Sequence, residues 1–428
     1  MNTLRLFPQE LRRLLQSRLT GLTVLLTVLS PLVGLVLYRP ADADTMLSVY
    51  LANPALAGGA AGGILFGLLA VYEWDRAARC RADRLTDAAV SPLILSLARL
   101  FALLTAALLA ACLTAAVWFP VSRVLIGSVF DGTDYILAYL LFMGLALPLS
   151  ILAASAFYQF TRRADLSAVL FAAFAGLSLT VWAENWQLCW LNPSVWALSD
   201  DFSNNRIFRS AAYMRLTWLA ALAGVWALSY LCIRQHGKGF FGSLCRSARR
   251  AYRPLIAVLL LTCAGFAYAA QPFVDQSNPD QTVMTFYEIP YAEGVTCSGR
   301  SAEVYPDTAA GTLRGRAAFA FQNTSGRAQT VSFGVTPGYI VTNVRANGAD
   351  VPFSLGDYQE FNEALLEVTI PAEAQVELTM EYGGFPQEDR SLSSMQGGRE
   401  ISDTYICLEN AALSPRLLNV LPAGETYP

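Results

Sequence analysis

The chain has 428 residues, of which 54% are hydrophobic and only 15% charged, a balance too apolar for a soluble protein that must cover its surface with charge. Its net charge of -3 offers no bulk attraction to nucleic acid, whose phosphates demand a concentrated basic face, and nucleic acid is excluded as a partner. One histidine, His236, cannot furnish an H-E-x-x-H zinc site, and one lysine, Lys238, in Arg234-Gln235-His236-Gly237-Lys238-Gly239, lacks the neighbours of a P-loop, so neither a self-contained zinc peptidase nor an ATPase resides in this chain.

Residues 1–18, with Leu4, Leu6, Phe7, Leu11, Leu14 and Leu15 between arginines, read as an amphipathic helix lying in a membrane interface, with a plain cytoplasmic tail as the alternative. Apolar runs follow at the length that a hydrocarbon core of about 30 Å requires. They are Thr20 to Leu37, Pro54 to Tyr72, Ser91 to Phe119, Tyr135 to Phe160, Leu166 to Trp182, Leu216 to Ile233 and Pro254 to Ala270, seven expected spans. The first has no small-residue cleavage site before the acidic loop at Ala41 to Asp44, so it is expected to stay as a helix. Residues 19–235 thus hold six spans, 236–253 a basic linker, and 254–270 a seventh span.

The arginines set an expected orientation, because short cytoplasmic loops retain positive charge. Arg5, Arg12, Arg13 and Arg18 precede the first span; Arg76, Arg79, Arg81 and Arg84 follow the second; Arg162 and Arg163 follow the fourth. Arg234, Lys238, Arg246, Arg249, Arg250 and Arg253 follow the sixth, while the alternate loops carry only Arg39, Arg123, Arg206, Arg209 and Arg215. This predicts a cytoplasmic N-terminus and an extracytoplasmic C-terminal part. Gly58, Gly59, Gly62, Gly63 and Gly67 put small residues on more than one face of the second span, read as intrachain packing before a dimer seam. Glu184, flanked by Trp182 and Trp186, is read as a wetted boundary acid, and Asp200 and Asp201 as loop charges rather than a cation site.

Residues 271–428 change to period two: Ala318-Phe319-Ala320-Phe321, Val331 to Val335, Tyr339 to Val341, Leu366 to Ile370 and Val376 to Met380. Asn347-Gly348 between Val344 and Val351 is a type I′ hairpin signal, and an all-β sandwich is the expected fold. Cys297 and Cys407 fall in this part and could form a disulfide or stand as two separate thiols.

The loop after the second span reads Glu73-Trp74-Asp75-Arg76, then Asp87-Ala88-Ala89-Val90-Ser91-Pro92 and Ala98-Arg99. With the amphipathic head and the segment Trp190-Leu191-Asn192-Pro193-Ser194-Val195-Trp196, residues 1 to 235 resemble the type-2 ABC transporter permeases. The resemblance implies a transport subunit with no cofactor of its own, paired with itself or a sister permease and fed by cytosolic ABC ATPase subunits that use the ATP. It implies docking through Glu73, Asp75, Arg76, Arg79, Arg81, Asp83 and Arg84; a solvated helix with internal i,i+3 and i,i+4 pairs is the alternative. Residues 310 to 387, through Gly315-Arg316-Ala317, Phe321-Gln322-Asn323, Val344 to Gly348 and Glu381-Tyr382-Gly383-Gly384, resemble the N-terminal β-domain of zinc aminopeptidases of the leukotriene-hydrolase type. That family places its zinc motif in a following helical domain, for which this chain has no counterpart before Pro428.

The expected protein is therefore a multi-pass protein of a bacterial plasma membrane, a permease subunit of an exporter with an external β-sandwich and no active site. The other readings are a membrane-anchored binding or sensing protein, and the non-catalytic N-terminal part of a permease-peptidase fusion.

Overall fold

A computed structural model of the chain describes residues 3–41, 44–79, 91–183, 185, 187–193, 195, 197–201, 204–233, 240–270, 289–336, 338–357, 364–384, 386, 400–401, 406–408 and 413–422. The chain divides into two units, Met1–Gln271 and Pro272–Pro428. The first is helical and the second is built of mainly antiparallel strands.

The helical unit opens with α1 (Thr3–Leu15), which buries Leu6 and Leu14 and leaves Arg12 exposed, as its amphipathic spacing requires. After Ser17 come α2 (Arg18–Leu29) and α3 (Pro31–Val36), one apolar rod broken where Pro31 has no amide to donate. A π-helical turn, Ser48–Ala52, leads into α4 (Asn53–Arg79), and α5 (Pro92–Ile126) follows. Next, α6 (Gly132–Ala138), a second π-helical turn (Tyr139–Gly144) and α7 (Ala146–Thr161) run on as one rod. The chain reverses at Arg162, in the left-handed region at φ 56°, into α8 (Ala164–Leu179), and continues with α9 (Asn205–Leu231), α10 (Phe240–Ala248) and α11 (Tyr252–Ala269).

Six helical stretches among the described residues are long and apolar enough to cross a membrane: Arg18–Val36, Ser48–Arg76, Pro92–Val129, Gly132–Thr161, Ile207–Leu231 and Tyr252–Ala269. This is a membrane-embedded protein. The last stretch, in α11, is only 11% buried against 72% for those in α4 and in α6–α7, so it lies at the rim of the bundle. It packs on α9, where Tyr213 donates its hydroxyl to Ala267 O at 2.8 Å.

Three expectations are corrected. The fifth expected span is a helix of 16 residues, about 24 Å long at 1.5 Å per residue and short of a core near 30 Å. It ends at Thr180, whose hydroxyl donates back to Gly176 O at 2.8 Å and whose backbone leaves the helical region at φ -124°, ψ -84°. The sixth expected span begins at Asn205 rather than Leu216, and Arg215, which lowers its hydropathy, is taken up by hydrogen bonds to backbone carbonyls. That moves Arg215 from a loop into a helix. The basic linker contains a helix, α10, and gives way to α11 at Tyr252.

The glycines of α4 are filled from within the chain. A Cβ on Gly59 would meet Phe142 O, and one on Gly63 would lie 2.7 Å from Ser150 Oγ and 2.8 Å from Leu191 Cδ1. Backbones therefore approach at distances that no larger residue permits.

The second unit is a sandwich. One sheet has the order β12 (Leu421–Pro422), β1 (Val295–Asp307), β2 (Thr312–Asn323), β8 (Gln375–Gly384), β4 (Tyr339–Ala346), β5 (Ala349–Asp350); the other has β11 (Arg416–Leu417), β3 (Gln329–Val335), β7 (Ala364–Ile370), β6 (Phe353–Asp357); β9 (Glu400–Ile401) and β10 (Ile406–Cys407) pair with each other. Alternate residues Leu313, Gly315, Ala317, Phe319 and Phe321 of β2 are buried, and Phe319 meets Phe333 of the facing sheet with ring centroids 4.9 Å apart. The two-residue turn between β4 and β5 has both Asn347 (φ 50°) and Gly348 (φ 83°) at positive φ, the signature of the expected type I′ hairpin. Cys297 is a free, half-buried thiol near Gly299 O, raised above its ordinary pKa by burial. The side chain of Cys407 lies outside the described residues.

Candidate functional site

Within the helical unit, Glu73, Asp75, Arg76 and Arg79 of the expected docking residues stand at the end of α4, and the structure gives Glu73 and Asp75 partners that no local reading of the sequence pairs with them. Glu73 is 3% exposed and accepts ion pairs from Arg13 of α1 at 2.7 Å and from Arg76 at 3.5 Å. Arg13 also meets Glu10 at 2.9 Å, and Glu10 lies 3.8 Å from Arg99 of α5. Burial works against the Arg13 charge, but the carboxylates of Glu10 and Glu73 outweigh it and hold the guanidinium above its ordinary value. Three helices are thus tied together by one chain of charges.

Beside this cluster, Trp74 donates its indole N–H to Ser155 Oγ of α7 at 2.8 Å, and Tyr158 donates to Asp75 Oδ1 at 3.3 Å. Asp75 also pairs with the largely exposed Arg79. The pairs of Arg76 with Glu73 and of Arg79 with Asp75 are the i,i+3 and i,i+4 pairs of a helix surface. Arg81, Asp83 and Arg84 lie outside the described residues, as do Glu184, His236 and Lys238.

The end of α9 joins the same cluster of helix ends. Tyr230, at the end of α9, donates to Leu93 O at the start of α5 at 3.1 Å, and Ser229 donates to Gln159 near the end of α7 at 2.7 Å. The arginine-bearing turns before α2, after α4 and after α7 therefore share one end of the bundle, here called the basic end. At the opposite end, Asp200 accepts from the amides of Met46 and Leu47 at 2.7 and 2.9 Å, capping the turn that leads into α4. Asn204 donates to Asp134 at 2.8 Å, and Leu198 exchanges hydrogen bonds with Thr45 and Ser48. Asp200 is accordingly a structural loop charge, as expected.

Between the two ends, α8 starts at the basic end and the residues after it carry the chain to the other. Leu191 N donates to Ser178 Oγ at 2.9 Å, and Trp190 stacks on Phe174 with ring centroids 4.7 Å apart. Non-helical backbone inside an apolar bundle needs partners for its carbonyls. Arg215 provides them. The side chain is fully buried; its Nε donates to Leu141 O at 2.9 Å, Nη2 to Phe142 O at 2.8 Å, and Nη1 to Trp190 O, with Leu191 O 3.2 Å from both terminal nitrogens. Two of these carbonyls belong to the π-helical turn Tyr139–Gly144, where the ordinary helical pairing is broken. The fork of five N–H donors fits four carbonyls in a way that a lysine ammonium cannot.

Sequence reasoning missed Arg215 as a functional candidate because it placed the residue before the helix. The signal that finds it is the row of apolar residues Ile207, Phe208, Ala211, Ala212 and Met214, which continues the helical pattern upstream of Leu216. Among the described residues no group of His, Cys, Asp and Glu could hold a metal ion.

No known protein-family model matches the chain, and no curated protein matches it.

Proposed function

We propose that the chain is the membrane subunit of an ABC-type transporter, an exporter in a plasma membrane whose energy comes from separate cytosolic ATPase subunits. The observation that carries this reading is the charge chain from Glu10 and Arg13 to the buried Glu73 and on to Arg76. It joins an interfacial helix to the end of α4, which the sequence follows with a segment holding the charged residues Arg81, Asp83 and Arg84. A force applied to that segment would reach α1, α4 and α5 together, which is what a separate motor needs. The absence of a P-loop from the sequence accords with a motor on another chain.

Convergence of the arginine-bearing turns on one end supports a cytoplasmic basic end, since positive charge is retained on that side. Seven passages through the bundle, six by long helices and one by α8 with the segment after it, then favour an extracytoplasmic β unit. A homodimer or a sister permease completes the transporter in this reading, and the β unit, similar to an aminopeptidase β-domain, is an external attachment without catalysis. The test is co-purification of an ABC ATPase with the full chain expressed in its native cell, together with efflux measured in cells lacking the chain. Capture of that ATPase and a fall in efflux are expected. Failure of both would end the proposal.

One observation favours a binding protein instead. The outer edge of β1 pairs with β12 only at Thr296 and Cys297, so from Gly299 to Asp307 it has no strand partner on that side among the described residues. Such an edge can accept an extended peptide as an added strand. Peptide binding by the full chain with efflux unchanged on its deletion is the result that selects this reading.

A further inference from the structure

A cleft in the helical unit lies where α1 turns into α2, and it is basic. It has a volume of about 700 Å³, and its lining includes Arg12, Arg13, Arg18 and Arg76 with Gln16 and Ser17. Arg13 and Arg76 are answered by Glu10 and Glu73. Arg12 and Arg18 are exposed and make no ion pair among the described residues, so the cleft holds two uncompensated positive charges.

Two further features point the same way. Ser17, the residue before α2, caps no amide with its side chain, and no acid stands in the first turn of that helix. The positive end of the α2 dipole and its unpaired N–H groups are thus open to an anion beside the arginines. Leu19 lines the cleft, and from it Leu22 and Leu26 continue along α2 at helical spacing, each more than a third exposed. These features suit an anion with an apolar continuation: charge at the mouth, hydrocarbon along the helix.

We propose that this cleft binds the phosphate headgroup of an anionic phospholipid from the leaflet in which α1 lies, with an acyl chain along Leu19, Leu22 and Leu26. Free phosphate would meet the same arginines but would leave the leucine row unused. The site anchors α1, whose Arg13 also holds Glu73, so occupancy by lipid would stiffen the charge cluster described above; binding itself does not depend on the transport reading.

The test uses the full chain in nanodiscs containing labelled phosphatidylglycerol or phosphatidylcholine, with retained lipid measured on the purified protein. A preference for phosphatidylglycerol is expected, falling by roughly 30-fold in the Arg12→Gln, Arg18→Gln double variant, the worth of two arginines at an anionic surface. The Arg12→Lys, Arg18→Lys variant should keep most of the preference, and Arg123→Gln, an exposed arginine at the opposite end of the bundle, should keep all of it. The proposal is overturned if the wild-type chain shows no preference, if the double glutamine variant retains it, or if inorganic phosphate displaces the lipid, which would assign the cleft to the free anion. Should the glutamine variant not fold, the wild-type preference and the phosphate competition decide alone.

Discussion

At the basic end of the bundle, α1, α4 and α5 are joined by ion pairs between long side chains, Arg13 with Glu73 and Arg99 with Glu10. In the interior and at the opposite end the same work is done by side chains that bond to backbone: Arg215 to four carbonyls, Asp200 to two amides, Ser48 to Leu198. Arg13 and Arg76 are partly exposed and can turn to water in place of Glu73, whereas backbone carbonyls in an apolar interior have nothing else to turn to. The difference predicts that the basic end loosens more readily than the Arg215 knot.

Replacing Arg215 with Leu tests the knot most severely. It leaves four buried carbonyls without a donor, a loss of about 4 kcal/mol at roughly 1 kcal/mol each. A large fall in the melting midpoint of the detergent-solubilised protein is expected, with little rescue by Arg215→Lys. A melting point unchanged by Arg215→Leu would show that water or relaxation satisfies those carbonyls and would erase the contrast between the two regions.

Glu73→Gln comes next. The side chain remains buried and keeps one acceptor oxygen, but its charge no longer answers Arg13 and Arg76, for an expected loss of about 2 kcal/mol. The thermal midpoint should fall by less than in the Arg215 variant, and the segment around α1 should gain amide exchange while the residues around Leu191 do not. Equal loosening of both regions would mean that the bundle responds as one body.

What could be read from the sequence follows the same division. Apolar runs mark helices because a bilayer leaves no alternative, and the Asn347-Gly348 turn was legible because both residues must take positive φ. Arg215 was hidden because an arginine lowers the hydropathy of its own helix, and only the carbonyls exposed by a π-helical turn and an unwound segment explain its place. The role of Glu73 as an acid ending a span was legible, but its partner Arg13 comes from α1, and the pair of Glu10 with Arg99 that extends the chain of charges reaches α5, distances that no local pattern spans. Strand β1 carries no hydrophobic alternation from Ser298 to Asp307, since it is mostly exposed and held by its backbone ladder to β2.

Arg79→Ala has the smallest expected effect on stability and separates docking from packing. Arg79 is 75% exposed and pairs within its own helix with Asp75; exposed pairs four residues apart contribute about 0.3–0.5 kcal/mol, so the melting midpoint should stay nearly constant. If the end of α4 only carries solvated charge, transport and ATPase capture should stay constant as well. If it is a docking surface, loss of a positive charge that contributes almost nothing to the fold should weaken capture of the ATPase several-fold, more so at low salt than at high salt, because exposed charges are screened. Stability unchanged with capture reduced is an outcome that a merely structural helix end cannot produce. Stability and capture both unchanged would move the docking surface away from Arg79 and leave the basic end as a place where charges are solvated.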